Sequence, residues 1–84
     1  MQLEILTPGQ NVFAGEVKLV KVPGSSGSFE ILRNHAAIIS SLTEGELKVI
    51  TESDETLRYT TGDGVVEASN NHVVVLLESI TKLN

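Results

Sequence analysis

The pattern that decides the fold lies in residues 15–32, GEVKLVKVPGSSGSFEIL. Its first half places Val17 and Leu19 on either side of a lysine, and its second half alternates Phe29 and Ile31 with polar residues. Because successive side chains of a strand point to opposite faces, this period of two predicts two β-strands. Pro-Gly followed by GSSG supplies the turn between them.

The apolar side of the first strand changes along its length. Val17 and Leu19 fall on one face of a regular strand, whereas Val20 and Val22 fall on the other. The sequence therefore predicts a strand that turns a different face to the core in each half.

Alternation of the same kind continues outside this stretch. It recurs in LEIL (3–6), ELKVIT (46–51), TLRYT (56–60), VVEAS (65–69) and HVVVLLES (72–79), with Gly-, Pro-, Asn- and Asp-rich turn signals between the runs. Many short strands with closely spaced turns predict one all-β domain over residues 1–84, a sandwich or barrel with no helix beyond about two turns. We expect its core to include Leu3, Ile5, Leu47, Val49, Val73 and Val75.

The composition excludes several classes of protein. The 84 residues carry 11 acidic and 6 basic side chains, a net charge of −5, which argues against a nucleic-acid partner. The chain has no cysteine, so disulfides and thiol chemistry are excluded. Its longest apolar run, VVVLL, is far shorter than a membrane span, and its start does not have the pattern of a signal peptide.

No catalytic or metal-binding pattern is visible. Ser, His and Asp occur without a nucleophile motif, and His35 and His72 lack the spacing of metal ligands. GSSG is not a phosphate-binding loop, because no Lys-Ser/Thr follows it. We therefore expect no enzyme activity, cofactor or metal, and we interpret His35 as a buried or half-buried turn residue that is hydrogen-bonded to backbone.

The order of the motifs is more specific than any one of them. LEILTP, VFAGEV, VPGSSGSFEIL, NHA before an apolar strand, EGELKV and a closing GVVEASNNHVVVLLES follow one another in this chain. In this order they resemble the N-terminal domain of the epsilon subunit of F-type ATP synthases. The resemblance extends from Leu3 to about Glu78.

The resemblance implies a flattened sandwich of two five-stranded sheets, antiparallel or mixed, without catalytic activity. It implies a rotor subunit of the central stalk, held against the gamma subunit and touching the polar loops of the c-ring, with only indirect contact to the alpha/beta head. Such a subunit couples proton or sodium flow to ATP synthesis. It is peripheral to the energy-transducing membrane, on its cytoplasmic side.

The resemblance also implies that the Gly/Ser loop and the histidine reach the ring together at one end of the sandwich. The candidate contact residues are Ser25, Ser26, Ser28, Glu30, Arg33 and His35. The chain departs from the family pattern at three places. Ser28 stands where many members have an acid, with Glu30 where glycine is common; Ala37 replaces a frequent proline; and residues 62–64 read Gly-Asp-Gly instead of Gly-Gly.

Two further expectations concern the chain end and the rival functions. Family members usually continue into a two-helix domain that inhibits ATP hydrolysis and in some binds ATP, whereas this sequence stops at SITKLN. If 84 residues is the natural length of the protein, we expect both the inhibition and the ATP binding to be missing. A chain truncated from a longer protein would have the same sequence. A free-standing ligand-binding sandwich is the alternative, disfavoured by the absence of Trp; a small enzyme is a third.

Overall fold

The computed structural model describes residues 1–83, which form nine β-strands joined by turns. The strands are β1 (Gln2–Thr7), β2 (Gln10–Gly24), β3 (Gly27–Leu32), β4 (Ile38–Leu42), β5 (Gly45–Thr51), β6 (Thr56–Thr61), β7 (Gly64–Ser69), β8 (His72–Leu77) and β9 (Ile80–Lys82). None of these residues forms a helix long and apolar enough to cross a membrane. The predicted all-β class is confirmed.

Strand β2 builds both layers of the sandwich, because its 15 residues are long enough to serve two sheets. Its first half pairs with β1, and its second half pairs with β3 and β5. The first sheet therefore runs β2–β1–β8–β7–β4, and the second runs β3–β2–β5–β6–β9. Nine strands thus supply two five-stranded sheets. The first sheet is mixed, since β1 and β8 pair in parallel, whereas all neighbours in the second sheet are antiparallel.

A bulge at Lys18 explains why the apolar side of β2 changes. Val17 pairs with Thr51 and Leu19 pairs with Ile50, so Lys18 is an extra residue on its strand. A bulge of this kind bends the strand and shifts the alternation by one position. Val17 and Val20 are consequently both fully buried, although regular alternation would place them on opposite faces.

The core lies between the two sheets and is almost entirely aliphatic. All six predicted core residues are buried, and none is more than 1% exposed. Other residues also belong to the buried core, among them Val17, Val20, Val22, Ile31, Val66 and Tyr59. Burial of the single tyrosine removes its ring from solvent.

The molecule has similar dimensions in all directions. Its Cα atoms extend 26, 25 and 23 Å along the three principal axes. The twist of the two sheets and the bend of β2 wrap them around the core.

Candidate interaction site

The tip of the β2–β3 hairpin is a tight turn. Ser25 and Ser26 form it, and the pairing resumes with Gly24 opposite Gly27. A Cβ on Gly24 would lie 2.6 Å from the Gly27 carbonyl oxygen, and Gly27 itself has φ +127°, so both positions require glycine. The Ser25 N–H donates a 3.1 Å hydrogen bond to the Ser41 carbonyl oxygen of β4. The tip is therefore held against β4 by a backbone hydrogen bond.

The six candidate contact residues do not lie together. Ser25 and Ser26 are at the hairpin tip, with Ser28 and Glu30 exposed along β3. Arg33 and His35 follow the opposite end of β3, which at about 3.3 Å per residue is roughly 20 Å long. The expectation that the Gly/Ser loop and the histidine occupy one end of the sandwich is therefore wrong, because a whole strand separates them.

Arg33 and His35 belong to a turn that is bonded to its own backbone. The His35 N–H donates to the Leu32 carbonyl oxygen at 3.1 Å. The half-buried His35 ring has Nδ1 2.7 Å from the Ala36 carbonyl oxygen and donates to it when Nδ1 carries the proton. The Arg33 guanidinium nitrogen Nη2 lies 3.7 Å from the Glu52 carboxylate oxygen Oε2. These contacts match the interpretation of His35 as a half-buried turn residue.

Two asparagines tie this turn to the β7–β8 turn. The Asn34 N–H donates to Asn71 Oδ1 at 2.6 Å, and Asn71 Nδ2 donates to Asn34 Oδ1 at 3.0 Å. Asn34, Asn70 and Asn71 all have positive φ, a conformation that Asn tolerates better than most residues. The sequence marked Asn70-Asn71 only as a turn. Nothing in the sequence signals its partner, which is 37 residues away.

The same end of the molecule carries both histidines. His35 and His72 line one small crevice beside the asparagine pair, a proximity that their separation in sequence hides. His72 is exposed, and its Nε2 lies 2.6 Å from Glu4 Oε2. Within residues 1–83 no group of three or more His, Cys, Asp or Glu is arranged to hold a metal ion.

The outer face of the first sheet carries an apolar patch that the sequence analysis did not identify. Leu76 of β8 pairs with Leu6 of β1 on one side and Val65 of β7 on the other. Val74 lies two residues before Leu76 on β8 and therefore on the same face of the sheet. Ile39 of β4 is 71% exposed. We call these five residues the apolar patch. The continuous run VVVLL was its signal, since such a run gives a strand apolar side chains on both faces.

The outer face of the second sheet is more polar. It has one apolar row, formed by Leu19, Leu32 and Ile50 in register, and beside that row stand charged residues. Lys18, at the bulge, donates from Nζ to Asp54 Oδ1 at 2.8 Å, and this hydrogen bond together with the negative charge raises the pKa of Lys18. The pair fastens the bulge to the β5–β6 turn.

Comparison with known proteins identifies the family to which this chain is similar. A family profile described as "ATP synthase, Delta/Epsilon chain, beta-sandwich domain" matches residues 1–83. The chain is 37% identical to the ATP synthase epsilon chain of Protochlamydia amoebophila, covering 93% of this chain and 53% of the relative. It is 29% identical to that of Chlorobaculum tepidum, covering 94% and 90%. The chain thus spans about half of the first relative and most of the second.

Solved structures support the same fold. A chain in the Euglena gracilis mitochondrial ATP synthase, a structure of OSCP, F1 and c-ring, superposes with a TM-score of 0.88 at 16% identity, covering 96% of this chain and 52% of that one. A chain in the central stalk and c-ring of the Tetrahymena thermophila enzyme gives 0.78 at 17% identity, covering 96% and 65%.

Proposed function

The chain belongs to the family of the ATP synthase delta/epsilon β-sandwich domain, and from that premise we propose that it serves as a central-stalk subunit of an F-type ATP synthase. In this role it joins the gamma subunit to the c-ring and couples ion flow to ATP synthesis without catalysing a reaction itself. The observation that carries the proposal is the family match, which extends over 83 of 84 residues.

The construction of the domain suits a part that transmits torque. Strand β2 runs through both sheets, and hydrogen bonds at Gly24 and Ser25 also join it to β4. A load applied to one sheet is therefore passed to the other through continuous backbone, and an aliphatic core resists their separation.

The apolar patch is the surface we assign to the gamma subunit. Ile39 and Leu76 are 71% and 46% exposed, and exposed apolar side chains of neighbouring strands mark protein interfaces. Burying the patch against a partner removes its apolar area from water, the main source of affinity in permanent complexes. Both apolar surfaces adjoin charged residues, in the patch Glu4 and Glu67. The apolar row of the second sheet is the weaker candidate because it is smaller, with three residues in place of five.

For the c-ring we favour the hairpin end of the molecule. Ser25, Ser26, Ser28 and Glu30 expose polar side chains from the tip along one side of β3. Arg33 and His35, at the other end of that strand, contact the ring only if its loops follow the whole edge of β3. The domain would then lie peripherally at the membrane, on the cytoplasmic side, with the hairpin facing the ring.

The ligand-binding alternative receives no support from the aromatic residues. Phe13 and Phe29 are half-buried against the core, and Tyr59 is buried within it. Carbohydrate-type recognition uses exposed aromatic faces for stacking.

The experiment measures binding of this chain to the gamma subunit of the same organism. Leu76→Asp, in the apolar patch, should weaken binding at least about tenfold, because it places a charge in an apolar interface. Leu32→Asp is the matched control, since Leu32 is 48% exposed but lies on the second sheet. Wild-type chain that fails to bind gamma would contradict the proposed function. Loss of binding in Leu32→Asp alone would place gamma on the other face.

A further inference from the structure

A row of like charges crosses the outer face of the second sheet. Lys21 of β2 pairs directly with Lys48 of β5, and Lys48 pairs directly with Arg58 of β6. Neighbouring strands are about 4.8 Å apart, so three cationic side chains stand side by side. Three of the six Lys and Arg residues of an acidic chain are thus concentrated in one place.

This row is unfavourable for the fold by itself. Like charges directly opposite one another in a sheet destabilise it. Among residues 1–83, the ion pairs include none for Lys21 or Lys48, and Arg58 has only a 3.8 Å contact to Glu46. Glu30, opposite Lys21 on β3, forms no ion pair with it. The pairing of Lys21 with Lys48, neither of which has an ion-pair partner among these contacts, suggests that the row has another role.

The row forms one wall of a polar cleft of about 550 Å³, a size suited to a small ligand. Ser25 and Ser28 also line the cleft, together with the hairpin glycines Gly24 and Gly27, and Glu44 and Glu46 border the same space. Hydroxyl groups and cationic side chains are the groups that bind phosphate oxygens in proteins. The two glutamates oppose an anion, so binding depends on the three cations acting together with the serine hydroxyls on several phosphate oxygens.

We propose that this cleft binds a multiply charged phosphate group, held by Lys21, Lys48 and Arg58 with the serine hydroxyls. The ligand is a soluble pyrophosphate-like anion or the headgroup of an anionic lipid, which present the same chemistry. This site is separate from the apolar patch, so it does not depend on the binding of gamma.

Amide NMR spectra of the full chain in low-salt buffer test the site, with inorganic pyrophosphate as the probe. We expect saturable shifts around Ser25, Ser28 and Lys48. Lys48→Gln should weaken binding about tenfold while raising the melting temperature of the ligand-free chain, because it relieves repulsion. Glu46→Gln should strengthen binding, since it removes an acid and releases Arg58. Lys82→Gln, outside the cleft, makes the same change in net charge and should leave the affinity unchanged within roughly twofold.

Vesicles distinguish the two sources of phosphate. Flotation with vesicles that contain cardiolipin, whose headgroup carries two phosphates, but not with phosphatidylcholine vesicles assigns the site to a lipid headgroup, provided that flotation is lost in Lys48→Gln and kept in Lys82→Gln. Saturable pyrophosphate binding without vesicle binding assigns it to a soluble anion. Equal weakening by Lys48→Gln and Lys82→Gln, or binding of an acidic peptide and of neither phosphate probe, overturns the proposal.

Discussion

Asn34 and Asn71 exchange two hydrogen bonds, one from backbone and one from a side-chain amide, and thereby join the turn after β3 to the turn between β7 and β8. The Asn71 carbonyl oxygen also accepts from the Gln2 N–H at 2.9 Å. One residue therefore connects three segments that are distant in sequence. The turn that carries Arg33 and His35 is fixed to the first sheet by this contact.

Replacing Asn71 should reveal the strength of this connection. Asn71→Gly keeps the positive φ readily accessible and removes both hydrogen bonds to Asn34. Asn70→Gly is the control, because it makes the same substitution at a positive φ one residue earlier and leaves the bonds between Asn34 and Asn71 intact. Both variants gain the same backbone entropy when unfolded, so their difference isolates the bonds. We expect Asn71→Gly to be less stable than Asn70→Gly by about 1–2 kcal/mol in urea denaturation. Equal stabilities would show that the exposed pair contributes nothing.

Truncation in the core should cost far more than truncation on the surface. Leu47 is fully buried, whereas Leu32 is 48% exposed on the outer face of the second sheet. Leu47→Ala should lower the free energy of unfolding by about 2–4 kcal/mol through lost burial and a residual cavity. Leu32→Ala should change it by less than about 0.5 kcal/mol. A loss below half a kilocalorie at Leu47 would contradict its placement in the core.

Stability should fall at alkaline pH partly through Tyr59. Burial disfavours the phenolate and raises the pKa of Tyr59 above its usual value of about 10. The unfolded chain therefore releases this proton at lower pH than the folded chain, so stability declines as pH rises from about 10 through the folded pKa. Tyr59→Phe should reduce that decline in denaturation curves between about pH 9 and 11. Lys18, whose pKa is also raised, contributes in the same direction and is unchanged in both proteins.

Absorbance offers an independent check, because Tyr59 is the single tyrosine and the chain has no Trp. The phenolate band of the folded chain should appear at higher pH than that of the urea-unfolded chain. Coincident titrations would mean that the ring is accessible to water.

Disulfide cross-linking should identify the end that faces the c-ring. The chain has no cysteine, so each introduced thiol is unique. With a cysteine in the ring loop, Ser28→Cys and Glu30→Cys should cross-link under mild oxidation, whereas His35→Cys and Lys82→Cys should not. Cross-linking by His35→Cys alone would place the opposite end of β3 on the ring.

Charge reversal separates the two proposed interfaces. Glu30→Lys should weaken ring coupling more than gamma binding, because Glu30 is exposed on β3, outside the apolar patch. Exposed ion pairs contribute only about 0.2–1 kcal/mol each, so assembly should persist while proton-driven ATP synthesis falls. A larger loss of gamma binding than of coupling would place Glu30 in the gamma interface.

The six core positions were predictable from the sequence because alternation in a strand is a local property. Leu3 and Ile5, or Val73 and Val75, reach the same face of their strand whatever it packs against. The candidate contact residues were less predictable. Ser28 and His35 are seven positions apart in sequence, but strand β3 carries the chain away from its starting point, so the shared position that the resemblance implied for them was wrong.

By itself, the sequence determined the all-β class, the strand faces and the family, because these depend on residue order and periodicity along the chain. Only the tertiary structure decided that strand β2 belongs to both sheets and that Asn71 bonds to Asn34. It also decided that Lys21, Lys48 and Arg58 form one row. Those relationships depend on pairing register between distant segments. Register is set by how a complete set of apolar faces packs together, and no single segment encodes it.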